Sequence, residues 1–281
     1  MIAAHISSFK SALFDPGRHI ALAPEAWDED IARAAIREIV EDALDRFDPD
    51  GFWPTHPLDE AAGQPSTSLY FGATGVLWAL DHLRRAGAVE FDHDFRGLLP
   101  RLLTLNREEH AANPYPQHAS LLCGDVGVLL LMARLAPDPT IADALFERVA
   151  ANNALPVLEL LWGTPGTMLA CVAAAGLTGE ERWRDAYLMQ ARRLLDDLAP
   201  SEFGPLWTQD LSGRSARYLG LGHGYAGNMA ALLRGWRWLA ADKQARLAEI
   251  IPQTLAATAG ESDIGVNWPA VATRAAAVYL V

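Results

Sequence analysis

Apolar residues recur along this chain at helical spacing, and four stretches repeat one design. Val76, Leu77, Leu80 and Leu83 form the first, Val128, Leu129, Met132 and Leu135 the second, Met168, Leu169 and Val172 the third, and Met229, Leu232, Leu233 and Trp236 the fourth. Positions i, i+3, i+4 and i+7 share one side of a helix, so each stretch predicts an apolar helix face. Each also follows a Gly-x-x-Gly: Gly72-Ala73-Thr74-Gly75, Gly124-Asp125-Val126-Gly127, Gly163-Thr164-Pro165-Gly166 and Gly224-Tyr225-Ala226-Gly227. One such pair marks any turn, but four in the same register before a helix define an internal repeat. Two properties of glycine suit the position. It tolerates backbone angles closed to other residues, and it lets neighbouring backbones approach closely. Pro165 fits the first turn of a helix, where its missing N–H costs nothing.

Amphipathic segments lie between these helices. From Trp27 to Phe47, Ile31, Ala35, Ile39 and Phe47 alternate with acidic and basic residues. From Glu180 to Leu198, Trp183, Tyr187, Leu194, Leu195 and Leu198 oppose Arg182, Arg184, Arg192, Arg193 and Asp196. These are expected to be outer helices with one wet face. The unit is an outer amphipathic helix, a loop, a Gly-x-x-Gly turn and an inner apolar helix, with few strand signals. Such units stack into a solenoid or close into a ring. The apolar character of the inner helices favours closure, so the expected fold is all-α, an α/α toroid formed by residues 1–281 as a single domain.

Composition narrows the function. The chain has 281 residues, 51% of them apolar, and a formal net charge of −12. This is a globular composition, and the acidic balance without a basic cluster argues against a nucleic-acid partner. Two cysteines, Cys123 and Cys171, are too few for a disulfide scaffold. They point to a reducing, cytoplasmic setting. Leu160 to Gly179 carries no charge over about the length of a membrane span, but Gly163-Thr164-Pro165-Gly166 divides it into a short run, a turn and a helix. No integral membrane segment is therefore expected. The first ten residues do not follow the signal-peptide pattern.

Leu122-Cys123-Gly124-Asp125-Val126-Gly127 resembles the Leu-Cys-Gly-Asp-x-Gly element of lanthionine synthetase C-like (LanC-like) proteins, and Gly222-His223-Gly224-Tyr225-Ala226-Gly227 resembles their His-Gly-x-x-Gly repeat. Leu161-Trp162-Gly163-Thr164-Pro165-Gly166 and Tyr70-Phe71-Gly72-Ala73-Thr74-Gly75 sit where further inner helices of that family begin, and Asn267-Trp268-Pro269 resembles a segment of its eukaryotic-type branch. The resemblance runs from about Ser68 to Val281. It implies a toroid of seven inner and seven outer helices. It also implies a bound zinc ion (Zn2+), and addition of a cysteine thiol to a dehydroalanine or dehydrobutyrine to form a thioether in a peptide. Eukaryotic-type relatives are linked to glutathione. The family's zinc ligands come from Trp-Cys-x-Gly and Cys-His-Gly motifs, and this sequence has neither. Zn2+ is thus implied by resemblance alone, with no metal ligand assigned. Cys123 matches a non-ligand position, and Cys171 falls inside an inner helix, where a small buried hydrophobe is expected. Four inner helices are visible and the sequence stops at Val281, about where the first zinc motif would follow, so the resemblance suggests a ring truncated before the zinc motifs.

The resemblance makes Asp125 and His223 the candidate catalytic residues. Asp125 matches a family active-site aspartate, although a carboxylate at a helix start is also stabilised simply as a cap. His223 matches an active-site histidine. Near a helix N-terminus a neutral imidazole suits acid–base work, and a turn-capping hydrogen bond is the plain alternative. Tyr225, Asn228 and Trp162 are candidate substrate contacts at the same mouth, against core packing for Trp162 and backbone satisfaction for Asn228. His5, His19, His56, His82, His93, His110 and His118 show no metal-ligand spacing.

Three functions compete. The first is thiol addition with a peptide or small thiol as partner, not competent while the zinc ligands are missing. The second is a non-catalytic scaffold that binds a peptide or thiol. The third is a glycoside-active toroid, for which Asp125, Asp210 and Glu159 offer carboxylates. An open ring would leave the helix around Met229 to Trp238 without a neighbour, which predicts self-association.

Overall fold

The structure is a computed structural model that describes residues 26–55, 66–111, 119–211, 213–262 and 265–272. Nine α-helices lie among the described residues: α1 (Glu29–Asp45), α2 (Ala73–Arg85), α3 (Leu99–Ala111), α4 (Asp125–Leu135), α5 (Pro139–Asn152), α6 (Thr164–Thr178), α7 (Arg182–Asp196), α8 (Tyr225–Arg234) and α9 (Ala241–Thr258). Two short antiparallel hairpins complete them, β1 (Gln209–Leu211) with β2 (Arg214–Ala216) and β3 (Gly260–Ser262) with β4 (Gly265–Asn267).

The even-numbered helices α2, α4, α6 and α8 are the inner set, and each begins one residue after the first glycine of its pair. Consecutive inner helices pack on one another, while α3, α5 and α7 pack against them from outside. Helix α4 is buried from Asp125 through Ala133, as expected of a helix enclosed on all sides. The outer helix α7 turns Trp183, Tyr187, Leu194 and Leu195 into the core, following the sequence pattern. This arrangement is an α/α toroid fold.

The glycines have a structural reason, and it is only one of the two considered. The first glycines enter their helices at φ −147°, −99°, −104° and −139°, which any residue can adopt, so conformational freedom is not what selects them. Close approach is. The chain folds back so that loop carbonyls cap the helix start: Ala73 and Thr74 donate to Ser66 and Thr67, and Tyr225 and Ala226 donate to Tyr218 and Leu219. These bonds satisfy N–H groups that a helix otherwise leaves open, without a side-chain cap. A Cβ at Gly72, Gly163 or Gly224 would drive into the carbonyl of Ser66, Val157 or Tyr218. The second glycine meets a loop carbonyl of its own unit and also receives the preceding unit. A Cβ on Gly127 would lie 3.0 Å from Leu69 Cβ, one on Gly166 3.4 Å from Leu121 Cβ, and one on Gly227 3.1 Å from Leu160 Cβ. Gly-x-x-Gly is therefore the joint between neighbouring units.

Helix α1 forms where expected but is rotated from the expected face. Ile31 and Ile39 are each 67% exposed. Ile36, Val40 and Leu44 face the core in their place, while Phe47 packs inward as expected and stacks edge-on against Phe52 and Phe95. Two apolar stripes compete on this helix, and the aromatic cluster selects the second. On α8, Met229 and Leu232 are buried while Leu233 is 47% exposed. Among the described residues, no helix is long and apolar enough to cross a membrane.

Candidate functional site

The starts of α6 and α8 lie side by side and build a small polar centre. Glu159, four residues before Gly163, is 0% exposed. A buried carboxylate must be hydrogen-bonded, and this one is fully engaged. Its Oε1 accepts from Trp162 N at 2.6 Å, and its Oε2 accepts from Leu161 N at 3.1 Å. Oε2 also meets His223 Nδ1 at 2.7 Å. Donation from Nδ1–H to this carboxylate fixes the histidine tautomer and leaves Nε2 as the ring's open nitrogen. The His223 side chain is 34% exposed, so a buried carboxylate orients a partly solvated ring. Trp162 stands beside it with ring centroids 5.2 Å apart, and Tyr218 lies at 6.5 Å.

Backbone ties hold this pair in place. Leu160 N donates to Gly222 O at 3.1 Å, joining the segment that carries Glu159 to the one that carries His223. Asn228, on α8, donates to Leu158 O at 2.9 Å. Gln209 also donates to Leu158 O and accepts from Leu158 N. Asn152, from the outer helix α5, donates to Trp162 O at 2.9 Å and to Ala119 O at 2.9 Å. The backbone on both sides of Glu159 is thus fixed by buried amides.

The sequence candidates divide between this centre and other places. His223 and Trp162 meet here. Asn228 is buried and acts on the centre through Leu158. Tyr225 is buried against Trp207, with ring centroids 5.8 Å apart, and burial pushes its phenol above the usual range, so it is a core residue in this geometry. Asp125 is the first residue of α4, and Gly124 caps that helix without a side chain. Its carboxylate turns to the outer helices instead, 2.9 Å from Arg148 Nε and 3.2 Å from Arg107 Nε. Asp210 accepts from Gly213 N at the β1–β2 turn. The three carboxylates considered for glycoside chemistry are thus engaged separately. His5, His19, His56 and His118 lie outside the described residues.

Glu159 stands outside the repeated motifs. It is the only acidic residue between Glu147 and Glu180, at the edge of an uncharged stretch, and that isolation was the available signal.

Both cysteines are free and buried. Burial pushes the Cys123 thiol up to about 11, partly opposed by a hydrogen bond with Trp162. Cys171, inside α6, is pushed up to about 12 by burial. Among the described residues no three or more of His, Cys, Asp and Glu gather as a metal site. The described residues therefore do not fit the zinc that the resemblance implies.

The comparisons with known proteins agree with this architecture. The model of the family "Lanthionine synthetase C-like protein" matches residues 104–272, more than half of the chain. Among solved structures, nisin cyclase superposes with a TM-score of 0.51, covering 82% of this chain and 76% of its own, at 15% sequence identity. At that identity the likeness establishes the fold. Among curated proteins, none matches significantly.

Proposed function

Since the chain belongs to the lanthionine synthetase C-like family, we propose that its toroid binds a peptide carrying a dehydroamino acid, and that the Glu159–His223 pair handles the proton when a thiol adds to it. The observation that carries this reading is the 2.7 Å contact between His223 Nδ1 and a wholly buried carboxylate, which leaves Nε2 for the reaction.

The chemistry balances with one base. Nε2 of His223 takes the proton from the thiol, and the sulfur attacks Cβ of the dehydroalanine. The C=C electron pair moves onto Cα and the adjoining carbonyl. The imidazolium then returns the proton to Cα, completing a thioether. Glu159 stabilises the transient imidazolium, as a buried carboxylate does for other catalytic histidines. No step is assigned to zinc, because the described residues offer no ligand set. We read residues 1–281 as one domain acting in the cytoplasm, where Cys123 and Cys171 stay reduced.

The test is to incubate the chain with a dehydroalanine-containing peptide and a small thiol and to follow the mass of the adduct. Addition faster than the uncatalysed control is expected. Saturable peptide binding with no acceleration would instead support a non-catalytic scaffold, and absence of both would overturn the proposal.

A further inference from the structure

The joint between units has a direction. At each internal joint, the leucine three residues before the first glycine of one unit packs against the second glycine of the next: Leu69 against Gly127, Leu121 against Gly166 and Leu160 against Gly227. Leu221 holds the same place in the fourth unit. Its carbonyl meets Gly227 of its own unit, as that of Leu160 meets Gly166, so the local shape is the same. The surroundings are not. Leu121 and Leu160 are buried, whereas Leu221 is 60% exposed.

The first unit carries the matching half. The three atoms nearest to a Cβ on Gly75 all belong to the backbone of Leu69, in its own unit. At Gly127, Gly166 and Gly227 the preceding unit's leucine is among the three. One turn further, the same side of the helix carries Ala79 in α2 and Leu131, Ala170 and Ala231 in α4, α6 and α8. The last three are wholly buried, and Ala79 is exposed. Leu233, roughly 200° round α8 from the covered Ala231, is half exposed, so the far side of α8 is open as well. Among the described residues, one end of the row of units therefore offers a leucine without its glycine, and the other a glycine without its leucine.

We propose that a second copy of this chain supplies the missing half, with Leu221 of one copy packing on the Gly75–Ala79 face of the other. The internal joints identify the occupant. Three times within the chain this leucine is covered by the helix start of another Gly-x-x-Gly unit, and each copy carries one such start uncovered. Exposed apolar surface drives the association, and the small residues Gly75 and Ala79 permit a close approach. The contact is head-to-tail, so copies close on one another or extend into a longer row. It uses neither Glu159 nor His223 and stands apart from the addition reaction.

Sedimentation velocity on the full chain, over a range of concentrations, tests this. The unaltered chain is expected to sediment as two or more copies. Leu221→Asp removes the leucine, and Ala79→Glu blocks the face that receives it. Both positions are exposed, so each variant should keep the circular dichroism of the unaltered chain and sediment as a single copy. Leu221→Gln serves if Leu221→Asp fails to fold. Mixed in equal amounts, the two variants should recover a mass of two copies and no more. Leu221 of the Ala79→Glu chain still fits Gly75 of the Leu221→Asp chain, and no second joint is open to that pair. An unaltered chain that stays single at every concentration would overturn the proposal and leave the edge to be covered by residues of the same chain. An assembly that either variant leaves intact, or two single-copy variants that do not recombine, would overturn it too.

Discussion

Asp125 and Glu159 are two buried carboxylates at the starts of adjacent inner helices, and their surroundings differ in kind. Asp125 faces two arginines, permanent cations supplied by outer helices. Glu159 faces two backbone N–H groups and one histidine. The first arrangement pins an inner helix to its outer neighbours and aims two guanidinium groups. The second sets a titratable ring that reaches solvent. A carboxylate at a helix start is thus not informative by position; what decides its role is whether its partner can exchange a proton.

The largest expected effect separates the two directly. His223→Ala should slow adduct formation about 10²–10⁴-fold, the usual weight of a positioned acid–base group. Stability should fall by about 1–2 kcal/mol, because the wholly buried Glu159 carboxylate loses one of its three donors while water can enter where the partly solvated ring was. Stopped assays by mass spectrometry and a thermal melt check the two halves. An unchanged rate would dissolve the distinction between the two carboxylates.

Asp125→Asn should cost stability and leave the rate alone. It leaves two guanidinium groups without their anion, but both are partly exposed and recover water. A loss of about 2 kcal/mol is expected, below the cost of breaking a fully buried pair. Chemical denaturation measures it, with adduct formation at saturating peptide little changed. A large rate loss without a stability loss would move Asp125 into the reactive centre.

A smaller effect concerns the thiol that lies between the two regions. Burial pushes the Cys123 thiol up to about 11 and the Cys171 thiol up to about 12 in the folded chain, against about 8.5 when unfolded. Folding therefore favours the protonated thiols. Their contribution is complete below about pH 8.5 and is lost as the pH rises toward the folded values. Cys123→Ala should flatten the alkaline limb of the stability curve, and both thiols should resist alkylation near neutral pH until the chain unfolds. Rapid native labelling of Cys123 would contradict its placement.

Much of the fold was legible because it rests on repetition. The four Gly-x-x-Gly pairs marked each inner helix start to within a residue, since each records the same steric joint. The face of α1 was less legible. Its outward Ile31 and Ile39 and its inward Ile36 and Val40 both satisfy helical spacing, and only the Phe47–Phe52–Phe95 cluster distinguishes them. The candidate site was legible in part. His223 and Trp162 stand in motifs, whereas Glu159 reaches His223 across 64 positions of chain, a pairing no local pattern encodes. Asn228 was visible as a polar residue in an apolar helix, but its partner, the carbonyl of Leu158, becomes apparent only when α6 and α8 are side by side.

If Glu159 and His223 form one proton-handling unit, nitrogen NMR of the His223 ring will show it. The native chain should carry the Nδ1–H tautomer, with Nε2 unprotonated in the neutral ring, and Glu159→Gln should shift it toward the Nε2–H form. A native ring carrying its proton on Nε2, or one unaffected by Glu159→Gln, would contradict it.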